Sequence, residues 1–421
     1  MDRVAPPHTM NVLSSHWRAI AAAAALVVMA SNSTSTSALF VAYHTRWGLT
    51  AADIGLAFSV YVGTLIPVLL IFGGSAERFG RRPVVLAGML FMAAGTLTLV
   101  IAHGLPQLIW ARLLQGVGAA LGIGAISATF TEAYQGKIAA GQALAVVTAI
   151  ALSGGPVVTA VTYDLGGGPN LSYLPMLVLA VAILGLAPIF ATRTARIGST
   201  GPVEGVLPTS VVWRGLSFAM PIIFVGWAGN SLYLSLVPAY LSASLHASDP
   251  LIGAGAFLAT QISGVFASIY FGNVQPERNG VVGPLVVVVG LILLVTATQQ
   301  NLWTVIMIGT ILVGAGSGIA SGAAYVITAR VGQGQRARTF ARLLVAAYAG
   351  YGLPSLVIGI VATHFSFAAG FAAIVGLAAI AAMLPFLKNG QSATVSEHPT
   401  AAAGTAELPR MFAMCQHCDT A

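Results

Sequence analysis

Apolar runs of about 20 residues, cut by short polar breaks, follow one another from residue 19 to residue 387. As a helix, a run of ~20 residues reaches across the ~30 Å hydrocarbon core of a bilayer. Lipid offers the backbone no hydrogen-bonding partner, so spanning segments must be helices or the strands of a closed barrel. Barrel strands alternate apolar and polar residues, and the runs at 20–30 and 281–295 do not alternate. Hydrophobic residues make up 57% of the chain and charged ones only 7%, which excludes a water-soluble globule. The reading is an all-α membrane protein with twelve spans. The first six are 19–43, 54–74, 83–103, 107–133, 141–163 and 172–191, and the second six are 215–241, 250–274, 282–299, 302–329, 340–363 and 366–387. Segments 1–18 and 388–421 are tails, and the polar stretch 192–214 links two six-helix halves, 19–191 and 215–387.

The formal charge of +7 does not point to nucleic acid, because the basic residues are placed by topology. With the N-terminus in the cytoplasm, sixteen of the eighteen Lys and Arg residues fall on cytoplasmic segments; only Arg46 and Arg112 do not. That bias orients a helical membrane protein, and it puts both termini in the cytoplasm. Reading 20–30 as a cleaved secretory signal would leave an odd number of spans and reverse the bias. Cys415 and Cys418, flanking His417, lie in a polar tail whose composition reads as disordered. A lone Cys-x-x-Cys offers too few ligands for four-coordinate zinc, so no metal or cofactor is expected.

Charges concentrate in 73–82, GGSAERFGRR, where Glu77, Arg78, Arg81 and Arg82 fall within six positions. Such a turn must reach water or headgroups. A fainter copy, GNVQPERNG, occupies 272–280. The duplication extends to the spans. Asn230 and Asn32, Gly253 and Gly55, Gly314 and Gly116, Gly316 and Gly118, Gly322 and Gly124, and Pro354 and Pro156 are each 198 residues apart. Two pseudo-symmetric six-helix halves place a substrate site between repeats near the bilayer midplane.

The loop Gly73-x-x-x-Glu77-Arg78-x-Gly80-Arg81-Arg82 resembles the signature between spans two and three of the major facilitator superfamily, with Glu77 where Asp is usual. Arg112-Leu-Leu-Gln115-Gly116-Val-Gly118-Ala-Ala is similar to that superfamily's fourth-helix motif. The resemblance covers 15–388 and implies a carrier that works by alternating access as its halves rock about a central site. It also implies that the charged loop braces the outward-open state, its acid meeting the start of span eleven near Thr339 and its basic residues meeting Glu132. The alternative is that these charges only fix topology. Gly155-Pro156 is similar to the fifth-span motif of family exporters, but Thr159 and Ala160 replace its trailing glycines, which weakens an export assignment.

Arg112 carries the most information, since a charge inside a span is costly and marks function by default. Asp53, Glu77, Glu132, Asp164, Asp249 and Glu277 all map to span ends or loops, so no acid is placed to pair with it. Either backbone carbonyls and the polar residues of span one hold it, or it meets an anionic group of the substrate. The same scarcity leaves no evident proton-coupling residue; Asp53 reads as a helix N-cap. Candidate cavity residues are Asn32 and Thr36 in span one, Arg112 and Gln115 in span four, Trp227, Asn230 and Tyr233 in span seven, Gln261 in span eight and Tyr351 in span eleven, with Tyr348 beside it. Such side chains also bind helix to helix. Pro156 and Pro354 are candidate hinges.

The expectation is a monomeric, multi-pass protein of a bacterial inner membrane, surrounded by lipid, that exports a small organic molecule in exchange for protons. Uptake or uniport of an organic anion contacting Arg112 is the alternative, and a receptor sharing the same cavity is a third reading. An intramembrane enzyme would need an embedded nucleophile and base or a metal cluster, and the spans contain none. If the charged loop is a gate, Glu77→Gln shifts the balance of inward-open and outward-open states more than it shifts substrate affinity. Labelling of single cysteines on the two faces reads this balance, and unchanged accessibility on both faces argues against the gate.

Overall fold

The computed structural model describes residues 8–72, 75–135, 140–190, 209–245, 249–271, 275–300, 302–331 and 336–366, and scattered positions from 369 to 380. All regular structure among these residues is helical. Ten helices are long and apolar enough to cross a membrane, and Leu174–Phe190 is a shorter eleventh. Most of the twelfth expected span, 366–387, lies outside the described residues, as do Cys415, Cys418, the C-terminal tail and most of the linker. Two helices start ahead of their apolar runs, span one at His8 rather than 19 and span seven at Thr209 rather than 215. A helix satisfies its own backbone in water as well as in lipid, so the apolar edge marks the hydrocarbon boundary and not the helix end.

Span one is not one continuous α-helix. His8–Thr34 passes into a 3-10 segment, Ser35–Leu39, and then into Phe40–Trp47. The cause is the polar run Ser31 to Ser37. Hydroxyls of Ser33, Ser35 and Ser37 donate to the carbonyls three residues back, at 2.7, 2.8 and 2.8 Å. Such local bonds compete with the α-helical ladder, and 3-10 pairing takes over where they cluster. The helix ends at Gly48, whose φ of 65° few other residues adopt readily. Span two, Ala51–Phe72, opens with a reciprocal cap: Thr50 Oγ1 accepts from the Asp53 backbone N–H at 3.2 Å, and Asp53 Oδ2 accepts from the Thr50 backbone N–H at 2.9 Å. Asp53 is therefore the third helical residue of a capping box and Thr50 is the N-cap, which corrects the sequence expectation.

Within each half, glycines let helices touch backbone to backbone, and the repeat keeps the geometry. A Cβ on Gly118 of span four, Leu105–Ala133, would lie 2.8 Å from Gly88 O and Met92 N of span three, Arg81–Val100. A Cβ on Gly316 of span ten, Trp303–Val331, would lie 2.7 Å from Gly283 O and Val287 N of span nine, Pro276–Gln299. Pro156 sits inside span five, Ala140–Thr162, and has no N–H for the carbonyl of Leu152. Thr34 Oγ1 of span one donates to that carbonyl at 2.8 Å. The proline discontinuity is thus fastened to its neighbour. Pro354 is likewise buried inside span eleven, Arg336–His364.

The halves meet along two helix pairs, span two with span eleven and span five with span eight, Pro250–Phe271. Contact is tight toward the end carrying Ala51 and Thr363. There Ala52 N–H donates to Thr363 Oγ1 at 2.9 Å and Ser59 Oγ to Gly352 O at 2.9 Å. A Cβ on Gly55 would lie 2.5 Å from Ser355 O, and Ala160 and Ala254 pack together with Ala38. At the opposite end the two described ion pairs, Arg81–Glu132 and Arg330–Glu277, each join helices of one half.

If these backbone contacts hold the halves together internally, Gly118→Val lowers thermal stability in detergent by an amount typical of overpacking, ~1–3 kcal/mol. Gly124→Ala, where a Cβ meets nothing within 4 Å, leaves it within ~0.5 kcal/mol of wild type. Differential scanning fluorimetry of the two variants checks the contrast.

Candidate functional site

The polar break in span one creates the binding partners of Arg112. Where 3-10 pairing replaces the α-ladder, the carbonyls of Asn32 and Ser33 accept side-chain donors from span four. Arg112 Nη1 donates to Ser33 O at 2.6 Å and to Gln115 Oε1 at 2.8 Å, and its Nε donates to Ala57 O of span two at 3.3 Å. Gln115 Nε2 in turn donates to Asn32 O at 3.1 Å. Among the described residues no carboxylate pairs with Arg112. The guanidinium is only 1% exposed, and Tyr61 and Phe58 lie beside it, their ring centroids 4.5 and 5.9 Å from Cζ. The charge is therefore solvated by carbonyl dipoles and ring faces, three spans contributing at once.

Asn32 is fully buried within the N-terminal half. Its amide donates to Val28 O at 2.8 Å and its Oδ1 accepts from Thr96 Oγ1 of span three at 2.8 Å. Thr36 is buried in the 3-10 segment. Asn230, its repeat partner Asn32 notwithstanding, sits differently: its Oδ1 is buried and has no hydrogen-bond partner. Tyr233 donates to Thr310 Oγ1 at 3.2 Å, and Gln261 is buried in span eight.

Aromatic rings join the halves. Phe58 of span two packs against Tyr351 of span eleven, centroids 5.1 Å apart. Trp227 of span seven, in Thr209–Ser235, meets Tyr351 at 5.8 Å and Tyr348 at 5.2 Å, both edge to face. The line Arg112, Phe58, Tyr351, Trp227, Tyr348 thus runs from the buried charge of one half into the other. Aromatic pairs of this geometry add ~0.5–1.5 kcal/mol each beyond burial. The sequence-derived candidates include Trp227, Tyr351 and Tyr348 but not Phe58 or Tyr61. Their signal was the three-residue spacing in span two, which puts both rings on one helix face.

In the charged loop, Gly73 and the side chain of Glu77 lie outside the described residues. Ser75–Phe79 forms a short helix, and Gly80 turns the chain with φ 90°, where a side chain would strain the backbone. Arg81 forms a fork on Glu132 with bonds of 2.5 and 2.6 Å. Arg78 is exposed, its Cζ 5.3 Å from the Phe79 ring centroid, and Arg82 is exposed. Thr339, near the expected start of span eleven, is buried one turn inside that helix. The second half repeats the ion pair with its charges exchanged. Arg330 stands 198 residues after Glu132, and it donates to Glu277 Oε1 at 2.8 Å.

Comparison with known proteins agrees with this architecture. Solved structures of similar fold include a bacterial homologue of the human lysosomal transporter Spinster in an inward-facing, unoccupied conformation. It has a TM-score of 0.72 and 15% identity, over 90% of this chain and 98% of that one. The nucleoside transporter NupG gives a TM-score of 0.68 at 10% identity, over 88% of this chain and 99% of that one. Among sequence relatives, the multidrug transporter MdfA of Escherichia coli O6:H1 is 30% identical over 156 residues, 36% of each chain. A chloramphenicol resistance protein of Pseudomonas aeruginosa is 25% identical over 55% of each chain. The 3-(3-hydroxy-phenyl)propionate transporter of Escherichia coli K12 is 23% identical over 58% of this chain and 61% of its own. The matches thus span between about a third and three fifths of these relatives' lengths. The Major Facilitator Superfamily model matches residues 21–298, about two thirds of the 421, and on that match this chain belongs to the Major Facilitator Superfamily.

Proposed function

We propose that this transporter exports small amphipathic organic molecules by alternating access, with proton exchange as the driving reaction. The observation that carries the substrate class is the line of aromatic rings from Phe58 through Tyr351 to Trp227. Flat ring faces and edges bind apolar and aromatic solutes with little demand on their exact shape, and they favour cationic or neutral groups over anions. Asn230 Oδ1, buried without a partner, supplies one acceptor near the same helix face as Trp227. The names of the multidrug and chloramphenicol resistance relatives support export of such compounds.

Arg112 acts in this reading as the organiser of the N-terminal half. Its Nε and both N–H groups of Nη1, three of the five guanidinium donors, are given to Ala57, Ser33 and Gln115, and it is 1% exposed, so an organic anion would have to open the packing around it to reach it. The alternative of anion uptake through Arg112 has correspondingly less support. With the Lys and Arg bias as the guide to orientation, the tightly packed end at Ala51 and Thr363 faces outward, which supports the reading of an inward-facing state.

Proton linkage rests on the likeness to drug exporters. One observation favours a second reading, uniport: Asp53, Glu132, Asp164, Asp249 and Glu277 all stand at helix ends, and Asp53 is held by Thr50. The experiment that separates the two uses purified protein in liposomes loaded with a pH-sensitive dye, challenged with lipophilic cations and with organic anions. Substrate-dependent proton movement supports antiport; flux of cations without a proton signal supports uniport; flux of anions alone overturns the aromatic-site reading.

Two substitutions test the assigned roles. Trp227→Ala raises the apparent KM for an aromatic cation by about tenfold, from the loss of ~1–2 kcal/mol of ring contact, while Trp227→Phe retains most of the affinity. Arg112→Ala abolishes flux but leaves insertion in the membrane unchanged, because twelve hydrophobic spans and not one side chain drive insertion. Normal flux in Arg112→Ala defeats the organiser role.

A further inference from the structure

The starts of spans seven and eleven lie side by side, at the end of the bundle that carries Arg330. A Cβ on Gly215 of span seven would lie 2.6 Å from a methyl of Val331, the residue after Arg330. Val212, Leu216, Leu343 and Ala347 pack the two helices together in one apolar cluster. Above that cluster the Arg342 guanidinium stacks over the Trp213 ring, Cζ 4.6 Å from its centroid. Arg214, the residue after Trp213, is exposed, Trp213 is 45% exposed, and Val211 is exposed on the same turn.

Neither helix offers these cations a neutralising partner. Residues 209–245 and 336–364 contain no Asp or Glu at all. Among the described residues neither the Arg214 nor the Arg342 side chain takes part in an ion pair. Both helix N-terminal turns lack an acid as well, so their dipoles add to the positive potential. Arg342 lies two residues, ~3 Å, inside the apolar edge of span eleven at 340, and Trp213 two residues, ~3 Å, outside that of span seven at 215, which puts both at the boundary between the headgroups and the hydrocarbon core. A guanidinium held over an indole ring with no carboxylate paired to it has N–H groups left for a phosphate. The exposed indole and Val211 give an acyl chain an apolar wall, and Trp is the side chain that suits this interface.

We infer that the seam between the starts of spans seven and eleven, built from Trp213, Arg214 and Arg342, is a binding site for the phosphate headgroup of an anionic phospholipid. The site is separate from the central aromatic line and does not depend on the substrate assigned there. A bound lipid bridges the two helices of the second half next to the segment joining the halves. The apolar wall commits the site to a lipid rather than to a soluble phosphate ester.

Native mass spectrometry of the full chain, titrated with phosphatidylglycerol or phosphatidylcholine, reads the site directly. Phosphatidylglycerol is expected to bind the wild type at least tenfold more tightly than phosphatidylcholine. Arg342→Gln and Arg214→Gln each weaken it about fivefold, the effect of removing one interfacial cation. Trp213→Leu weakens it without changing the charge. Arg278→Gln removes a cation from a different loop, one that donates to Gln275, and retains wild-type binding. Arg214 has no role in the packed cluster, so its variant keeps the test open if Arg342→Gln fails to fold. Equal affinity for the two lipids overturns the inference, as does wild-type binding in Arg214→Gln. An equal loss in Arg278→Gln also overturns it, since only general surface charge would then be at work. Competition by glycerol phosphate at the lipid's own concentration shows a soluble-anion site and overturns the lipid assignment.

Discussion

One buried charge with no carboxylate to meet it governs the N-terminal half. Taking a guanidinium out of water is expensive unless dipoles replace the water, and every acid of the spans stands at a helix end. The protein meets the requirement with backbone. The serine- and threonine-rich run at 31–37 diverts span one into 3-10 pairing, and carbonyls that an α-helix would have used internally take donors from span four. Arg112, Gln115, Asn32, Thr96 and Ala57 then form one connected set across spans one to four. The same run supplies Thr34 and Ser31 to carbonyls of span five around Pro156. A stretch that looks like a weak point in a transmembrane helix is thus the hub to which four other spans are tied.

The repeat conserves packing and abandons chemistry. Gly118 and Gly316 make the same backbone contact in their halves, and so the four–three and ten–nine helix pairs superpose in kind. The position equivalent to Arg112 is Thr310, which accepts a hydrogen bond from Tyr233, itself equivalent to Ser35. The polar set belongs to one half and the aromatic set, Trp227, Tyr348 and Tyr351, to the other. An ion pair tolerates exchange of its signs, since the Coulomb energy is symmetric, and Glu132 with Arg81 against Arg330 with Glu277 is such an exchange. A rocking carrier needs equivalent surfaces to roll on. Its site has no such need, because substrate meets both halves at once.

Much of the fold was legible before any coordinates. A bundle of apolar, membrane-crossing helices in two related halves follows from apolar runs and a constant offset, because lipid permits few structures; ten such helices and a shorter eleventh stand among the described residues, and which of them pair across the halves was not legible. Helix ends were less legible: His8 and Thr209 precede their apolar runs, and Thr50 rather than Asp53 is the cap of span two. Of the site, Arg112 stood out by its cost, and the polar residues of span one were visible as candidate partners. Which carbonyls it meets was not visible, since that depends on a local change of helix type. Phe58 and Tyr61 were hidden among many apolar residues that face lipid or core alike.

The sequence by itself determined that this chain is a helical bundle in lipid, built from two copies of one unit, with one charge that must be solvated within it. It did so because hydrocarbon thickness and backbone hydrogen bonding act on every residue in the same way. Only the tertiary structure decided that Arg112 is enclosed by Ser33, Ala57 and Gln115, and that Phe58 reaches Tyr351 across the halves. That the halves touch through Ala52, Gly55 and Ser59 was likewise decided there. Those outcomes depend on the rotation and spacing of helices far apart in sequence, set by glycine contacts a few tenths of an ångström from overlap, and no local pattern encodes them.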